Sequence, residues 1–351
     1  MQKTKFIYFS IFKHIMENKR IESAPKIEGQ NIFPVEWEVE TPELVDLYER
    51  AKKEAWNASD MPWNSLSPKD FDEDQKIAIS YWFSVLATFE RATPVFAKAL
   101  IKAYETHAEQ PVKFMFASLV GDEARHEECC MKCVNQLCPL WPWKWKARNS
   151  FEEEALKAVN WIYYNGSRYW RAFVKATDEK YSLPILFTSF MMAETGATTI
   201  FKSMAERAKH ETFREIFLNI HRDEARHLAF TWYMLKKKLP YVGEEEKKQI
   251  TKQLRAGFVF LSPILLEPIS EFWKLPPNFL DWHRRLEEIA RDAGLGVLSL
   301  EEKVKIWGNA VKTVSARLKQ YGIEVPSMPE IGIYSGEDVK ITEEDIALIG
   351  L

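Results

Sequence analysis

The chain has 351 residues, 46% of them hydrophobic and 13% aromatic, with a formal net charge of −3. That length and apolar content allow a sizeable core, and the nearly balanced charge excludes the basic footprint of a nucleic-acid binder. The longest apolar runs, Phe6 to Phe12 and Phe258 to Leu266, fall far short of the roughly 20 residues that cross a bilayer, so no membrane span is expected.

At the N-terminus a Lys and a short apolar run are followed by no small-residue cleavage site. A signal peptide is therefore not expected, and the chain reads as a soluble, cytoplasmic protein of one domain. From Phe71 to Leu239 Pro and Gly are sparse, and apolar residues recur at steps of three and four. This predicts long helices over "YWFSVLATFERATPVFAKALIKAYETH" and "VKFMFASLVGDEARHEECCMKCVNQL". Cys129, Cys130, Cys133 and Cys138 fall in and just after the second of these, poorly placed for disulfides, and are expected as reduced, packed thiols. Accessory helices follow over about 145–175. A second helical pair then covers "LFTSFMMAETGATTIFKSMAERA" and "ETFREIFLNIHRDEARHLAFTWYMLKKKL". Further accessory helices are expected over about 244–321 and an extended tail over 322–351. The fold class is all-α, a helical bundle core at about 71–239 with accessory helices around it.

The pentapeptide Asp-Glu-Ala-Arg-His occurs twice, at 122–126 and again at 223–227. On a helix, Glu123 and His126 share one face, as do Glu224 and His227. Each preceding helix carries one glutamate in an apolar stripe, Glu90 and Glu194. The separations, 33 residues to Glu123 and 30 to Glu224, bring each pair to one level of an antiparallel hairpin. Four carboxylates and two imidazoles buried together could not stay ionised unaided, since desolvating even one carboxylate costs several kcal/mol. Two divalent cations would balance four glutamates. One Glu from each of two helices plus Glu-x-x-His from two others is the ligand set of ferritin-like di-metal carboxylate proteins. A metal-bound imidazole passes its other N–H to an acceptor. Asp223 is therefore expected behind His126 and Asp122 behind His227, with Arg125 and Arg226 balancing the aspartates. His221, on the face of Glu224, is placed among the polar residues behind the ligands. The phenylalanines Phe83, Phe116, Phe187, Phe190 and Phe217, with Met191, are expected to wall a dry cavity.

Over about 41–238 these motifs resemble the ribonucleotide-reductase small-subunit-like branch of the ferritin-like superfamily. The resemblance places Trp56, in "LYERAKKEAWNASDMPW", against Asp223, in a His126–Asp223–Trp56 chain. "RDEARHLAFTWYMLKK" is similar to the ligand-binding oxidases of that branch, which hold a fatty acid above a Mn/Fe or Fe/Fe centre. Their valine–tyrosine ether link is not expected here, because Thr93 and Ser189 stand at its two positions; both are placed on the ligand cavity. "ETGATT" is similar to bacterial multicomponent monooxygenases, which implies catalytic roles for Thr198 and Cys130. In a reductase small subunit the radical tyrosine would occupy the position of Cys130, and Tyr334 would stand for its electron-transfer tyrosine. The resemblance implies an O2-activating oxidase or oxygenase acting on a long apolar molecule such as a fatty acid, in a homodimer with an unidentified electron donor. A monooxygenase hydroxylase, a reductase small subunit and a non-catalytic metal-binding protein remain as alternatives.

Overall fold

The computed structural model describes residues 42–106, 108–141, 144–179, 182–334 and 339, all within a compact unit spanning 38–351. The run Phe6 to Phe12 and the end of the tail lie outside the described residues. Among the described residues there is no β-strand, only an isolated bridge between Met328 and Ile333. No helix among them is long and apolar enough to cross a membrane.

Helix α1 (Pro42–Lys53) lies against the bundle and leads to Trp56. Helix α2 (Glu73–Phe89) starts on a capping box in which Asp72 and Gln75 satisfy each other's backbone N–H. All thirteen residues from Ile77 to Phe89 are buried, so α2 is a central helix. The expected single helix through 81–107 is broken. Helix α2 ends at Phe89, Glu90 caps it, and α3 (Thr93–Glu105) begins three residues later. Pro94 explains the break, because its ring would collide with the carbonyl of Glu90 in a continuous helix and it has no N–H to donate to that carbonyl.

Helix α4 (Gln110–Leu137) packs on α2 and α3. Helix α5 (Ser150–Glu179) crosses their outside as one 30-residue helix. Helices α6 (Leu183–Arg207) and α7 (Glu211–Lys238) form the second hairpin. The bundle of α2/α3, α4, α6 and α7 is thus built from two sequence-related halves. Beyond it, α8 (Glu244–Leu265) and α11 (Leu300–Lys319) cover α6, while the short α9 (Ser270–Trp273) lies against α8 and α10 (Phe279–Asp292) covers α2. The four cysteines are free and buried.

The described part of the expected extended tail is packed. Ile323, Val325, Met328, Ile331 and Ile333 are buried, and Arg255 holds Glu330 through both of its terminal nitrogens at 2.9 and 2.8 Å. Apolar residues at alternate positions let an irregular segment bury side chains without a helix. Tyr334 at its end is 76% exposed.

Two features join the accessory helices to the core. The Trp307 ring of α11 lies directly on the backbone of α6 at Gly196, where an added Cβ would stand 1.6 Å from the ring. On the other side Tyr81 donates its hydroxyl to His283 Nδ1 at 2.8 Å, while Glu287 is bound by Lys303 at 2.5 Å. Burial, helped by the Lys303 charge, holds His283 down at about 3, so the imidazole is neutral and accepts that bond.

Gly196→Ala should cost about 1–3 kcal/mol through overpacking, read as a lower urea midpoint with an unchanged slope. The unfolded chain protonates His283 near pH 6.5 and the folded one only near 3, so stability is lost as pH falls through that window. His283→Gln keeps the acceptor for Tyr81 and removes the titration. Its loss of stability between pH 6 and pH 5 should be smaller than that of the parent by about 1 kcal/mol in urea unfolding.

Candidate metal centre

The break at Glu90 sets the first carboxylate at the end of α2 rather than inside a helix. Helix α4 supplies Glu123 and His126, α6 supplies Glu194, and α7 supplies Glu224 and His227; all six side chains are buried, with exposures of 0–6%. They form two groups, Glu90–His126–Glu224 and Glu123–Glu194–Glu224–His227, within each of which the candidate ligand atoms lie within 4.8 Å of one another. Glu224 belongs to both, with one oxygen 3.5 Å from His126 Nδ1 and the other 3.2 Å from His227 Nδ1. His126 Nδ1 also lies 3.1 Å from Glu90, and His227 Nδ1 lies 3.5 Å from Glu123 and 3.7 Å from Glu194.

The proton balance of this cluster favours cations. Burial, reinforced for Glu123 and Glu194 first by the neighbouring Glu224 charge, pushes Glu90, Glu123 and Glu194 above the usual carboxylate range. Glu224 goes the other way: burial would raise it, but hydrogen bonds from Glu194 and His227 hold it at about 2. Burial would likewise lower both histidines, yet both are lifted well above the ordinary imidazole value. His126 is lifted by hydrogen bonds to Asp223 and Glu90, and His227 by hydrogen bonds to Asp122 and Glu194. Protons therefore neutralise the cluster, and divalent cations on the same oxygen and nitrogen atoms would displace them. The buried set is able to hold two metal ions.

Behind the ligands the two halves cross over. His126 Nε2 meets Asp223 at 3.1 Å, and His227 Nε2 meets Asp122 at 3.0 Å. This arrangement aims both Nδ1 atoms at the carboxylates. Trp56 donates its indole N–H to the same Asp223 oxygen at 2.9 Å, and its ring is nearly parallel to His126 at 6.2 Å. Arg125 pairs with Asp122 and Arg226 with Asp223 along their own helices, and each also approaches the opposite aspartate, at 3.8 and 3.7 Å. Asp223 is consequently held far below the carboxylate range: burial opposes this, but the bond from His126 and the charges of His126 and Arg226 prevail. Glu54, at the end of α1, binds Arg226 at 3.1 Å. Sequence reasoning missed this residue, because nothing in its local pattern ties it to a helix 172 positions away. His221 stands outside the cluster, with Nδ1 2.9 Å from the carbonyl of Thr198.

The glutamates floor a cavity of about 90 Å³. Of the expected wall residues, Ser189 and Phe190 line it; Phe83, Phe116, Phe187 and Met191 do not. Phe83, Phe116, Phe187 and Phe217 each precede a ligand glutamate by seven residues, roughly 10 Å along a helix. They stack instead into two plugs away from the metal layer, Phe83 on Phe217 at 5.8 Å and Phe116 on Phe187 at 5.4 Å. Thr93 lies on a separate depression beside Arg91 and Glu127. Cys130 and Thr198 are also absent from the wall; burial pushes the Cys130 thiol well up, and the Thr198 hydroxyl is buried without a partner.

The missing wall comes from the accessory helices. Tyr169, Trp170 and Phe173 of α5 and Gly257, Phe260 and Ile264 of α8 face the glutamates. Trp170 also donates its N–H to the carbonyl of Thr88 at 2.7 Å, a group orphaned by the end of α2. The spacing of these residues marks apolar helix faces, a signal that shows burial and not what lies opposite. Asp122→Ala should weaken zinc binding about 10–100-fold in competition with a chromophoric chelator, because His227 then loses the acceptor that orients it.

No protein-family model matches the chain, and no curated protein matches it. Solved structures do. A point variant of an R2-like ligand-binding oxidase, with an aerobically reconstituted Mn/Fe cofactor, aligns with a TM-score of 0.50 at 16% identity, over 82% of this chain and 94% of that one. A class I ribonucleotide reductase-like protein from Bacillus halodurans aligns with a TM-score of 0.48 at 15% identity, over 79% of this chain and 99% of that one. The match to that oxidase gives the chain an all-α, ferritin-like fold of the R2 type.

Proposed function

We propose that this protein is an O2-activating di-metal carboxylate oxidase or oxygenase, with an Fe/Fe or Mn/Fe centre, that binds an apolar molecule. The observation carrying this reading is the cavity: the cluster of Glu90, Glu123, Glu194 and Glu224 opens onto an apolar wall. A storage site needs no such chamber. Bound metals would supply the electrons for O2 reduction.

The chain's own residues supply the rest. Asp122 and Asp223 fix the histidine orientation, and Glu224 joins the two halves of the site. Arg226 helps to hold Asp223 ionised, Arg125 pairs with Asp122, and each aspartate accepts an imidazole N–H. The aromatic wall limits water, which strengthens every electrostatic interaction at the glutamates. Cys130, one turn after His126, offers a buried thiol where a reductase small subunit carries its tyrosine, which favours the oxidase reading over the radical-generating one. Thr198 and Cys130, both away from the wall, act through packing in this proposal.

Metal-free protein loaded without oxygen with Fe(II), or with Fe(II) and Mn(II), should bind about two ions per chain. It should then develop oxidised-metal absorption on exposure to O2. Glu224→Ala should lose at least one of the two ions. Stoichiometric metal with no spectral change under O2 would sink the enzyme reading and leave a metal-binding protein.

A further inference from the structure

We infer that the cavity takes a compact, ring-containing molecule whose part against the wall is uncharged, and that Gly257 sets the size it admits. This deepens the proposed function and rests on it for the role of the site. The first argument is charge. Among the described residues that line the cavity there is no Lys, Arg or His. The polar groups of the wall are already engaged: Trp170 donates to Thr88, and Ser189 donates to the carbonyl of Ile185 at 3.1 Å. In the metal-free protein an ionised carboxylate would face the four glutamates with no cationic side chain on the described wall, and would leave its hydration behind.

The second argument is shape. Phe96 packs on Phe190 at 4.6 Å and Tyr169 on Phe260 at 3.5 Å, so the wall presents ring faces and edges, surfaces that a further ring complements. The void of about 90 Å³ is smaller than the roughly 150 Å³ of an engineered apolar cavity that admits benzene. One ring fits with modest movement of the phenylalanines. A long acyl chain would require the wall to be rebuilt.

The third argument is Gly257. It lies in the middle of α8, where glycine is a poorer helix former than alanine. Gly166 and Gly196 have steric reasons to be glycine, since a Cβ there would strike Thr88 or Trp307 at under 3 Å. At Gly257 an added Cβ meets nothing within 4 Å, although the residue is buried. Its missing side chain opens the cavity instead of admitting a neighbouring helix.

Ethylbenzene and phenylacetate share a skeleton and differ in one charged end. Their binding is measured by ligand-observed NMR on metal-free and zinc-loaded protein, with zinc counted by elemental mass spectrometry. Ethylbenzene should bind at least tenfold more tightly than phenylacetate in the metal-free form. Gly257→Phe should weaken ethylbenzene at least tenfold while zinc content stays that of the parent, and Gly257→Ala should raise Tm and retain binding. Ala197→Phe, on the part of the wall that α6 supplies, provides a second plug with the same expected loss should Gly257→Phe fold poorly. Phenylacetate binding to the metal-free protein as tightly as ethylbenzene overturns the assignment, as does unchanged ethylbenzene binding in folded plug variants. Ethylbenzene binding that responds to the plugs in a protein that takes up no zinc supports the cavity assignment and overturns the metal reading.

Discussion

Burial of four carboxyl groups and two imidazoles in one apolar layer is the constraint around which this molecule is organised. Isolated, each group would pull water in or give up its charge. Together they share protons: Glu224 is ionised, its three neighbours are pushed toward the neutral acid, and both histidines are held charged by the aspartates behind them. Such a cluster is stable only where every remaining donor and acceptor is engaged. The crossing of Asp122 and Asp223 to the histidine of the opposite helix engages the second nitrogen of each imidazole. It also ties α4 to α7 at the level of the site.

Duplication accounts for the near-symmetry of this arrangement, and the departures from symmetry occur where the halves meet different surroundings. Asp223 receives Trp56 from the segment after α1, and among the described residues no indole bonds to Asp122. Arg226 is anchored by Glu54, whereas Arg125 lies over the Trp56 ring at 5.5 Å. The glutamates differ as well. Glu194 projects from an unbroken helix, while Glu90 ends one, because Pro94 follows it.

That break has consequences beyond the ligand. Ending α2 at Phe89 frees backbone carbonyls in the interior, and the Thr88 carbonyl is taken by Trp170 from α5. The accessory helix is thereby fixed against the core at the point where its aromatic residues complete the cavity wall. Helix α8 closes the other side, and α11 holds α6 through the Trp307–Gly196 contact. Accessory helices here determine what the site can admit, while the bundle determines what it can hold.

The sequence by itself determined the helical class, the duplicated motif and the convergence of Glu90, Glu123, His126, Glu194, Glu224 and His227, because helical periodicity and hairpin length relate spacing along the chain directly to position. It also determined the aspartate partners, once an imidazole with two nitrogens required something behind it, while Trp56 came from the resemblance to the ribonucleotide-reductase small-subunit-like branch. The wall of the cavity was decided only by the tertiary structure. Phe83, Phe116 and Phe187 share the same sequence signature as Phe173, Phe190 and Phe260, since periodicity reports that a face is buried and carries no information about which helix it meets. Glu54 and Gly257 have their roles through helices far along the chain, and long-range packing, unlike the repeat of a helix, leaves no mark in local spacing.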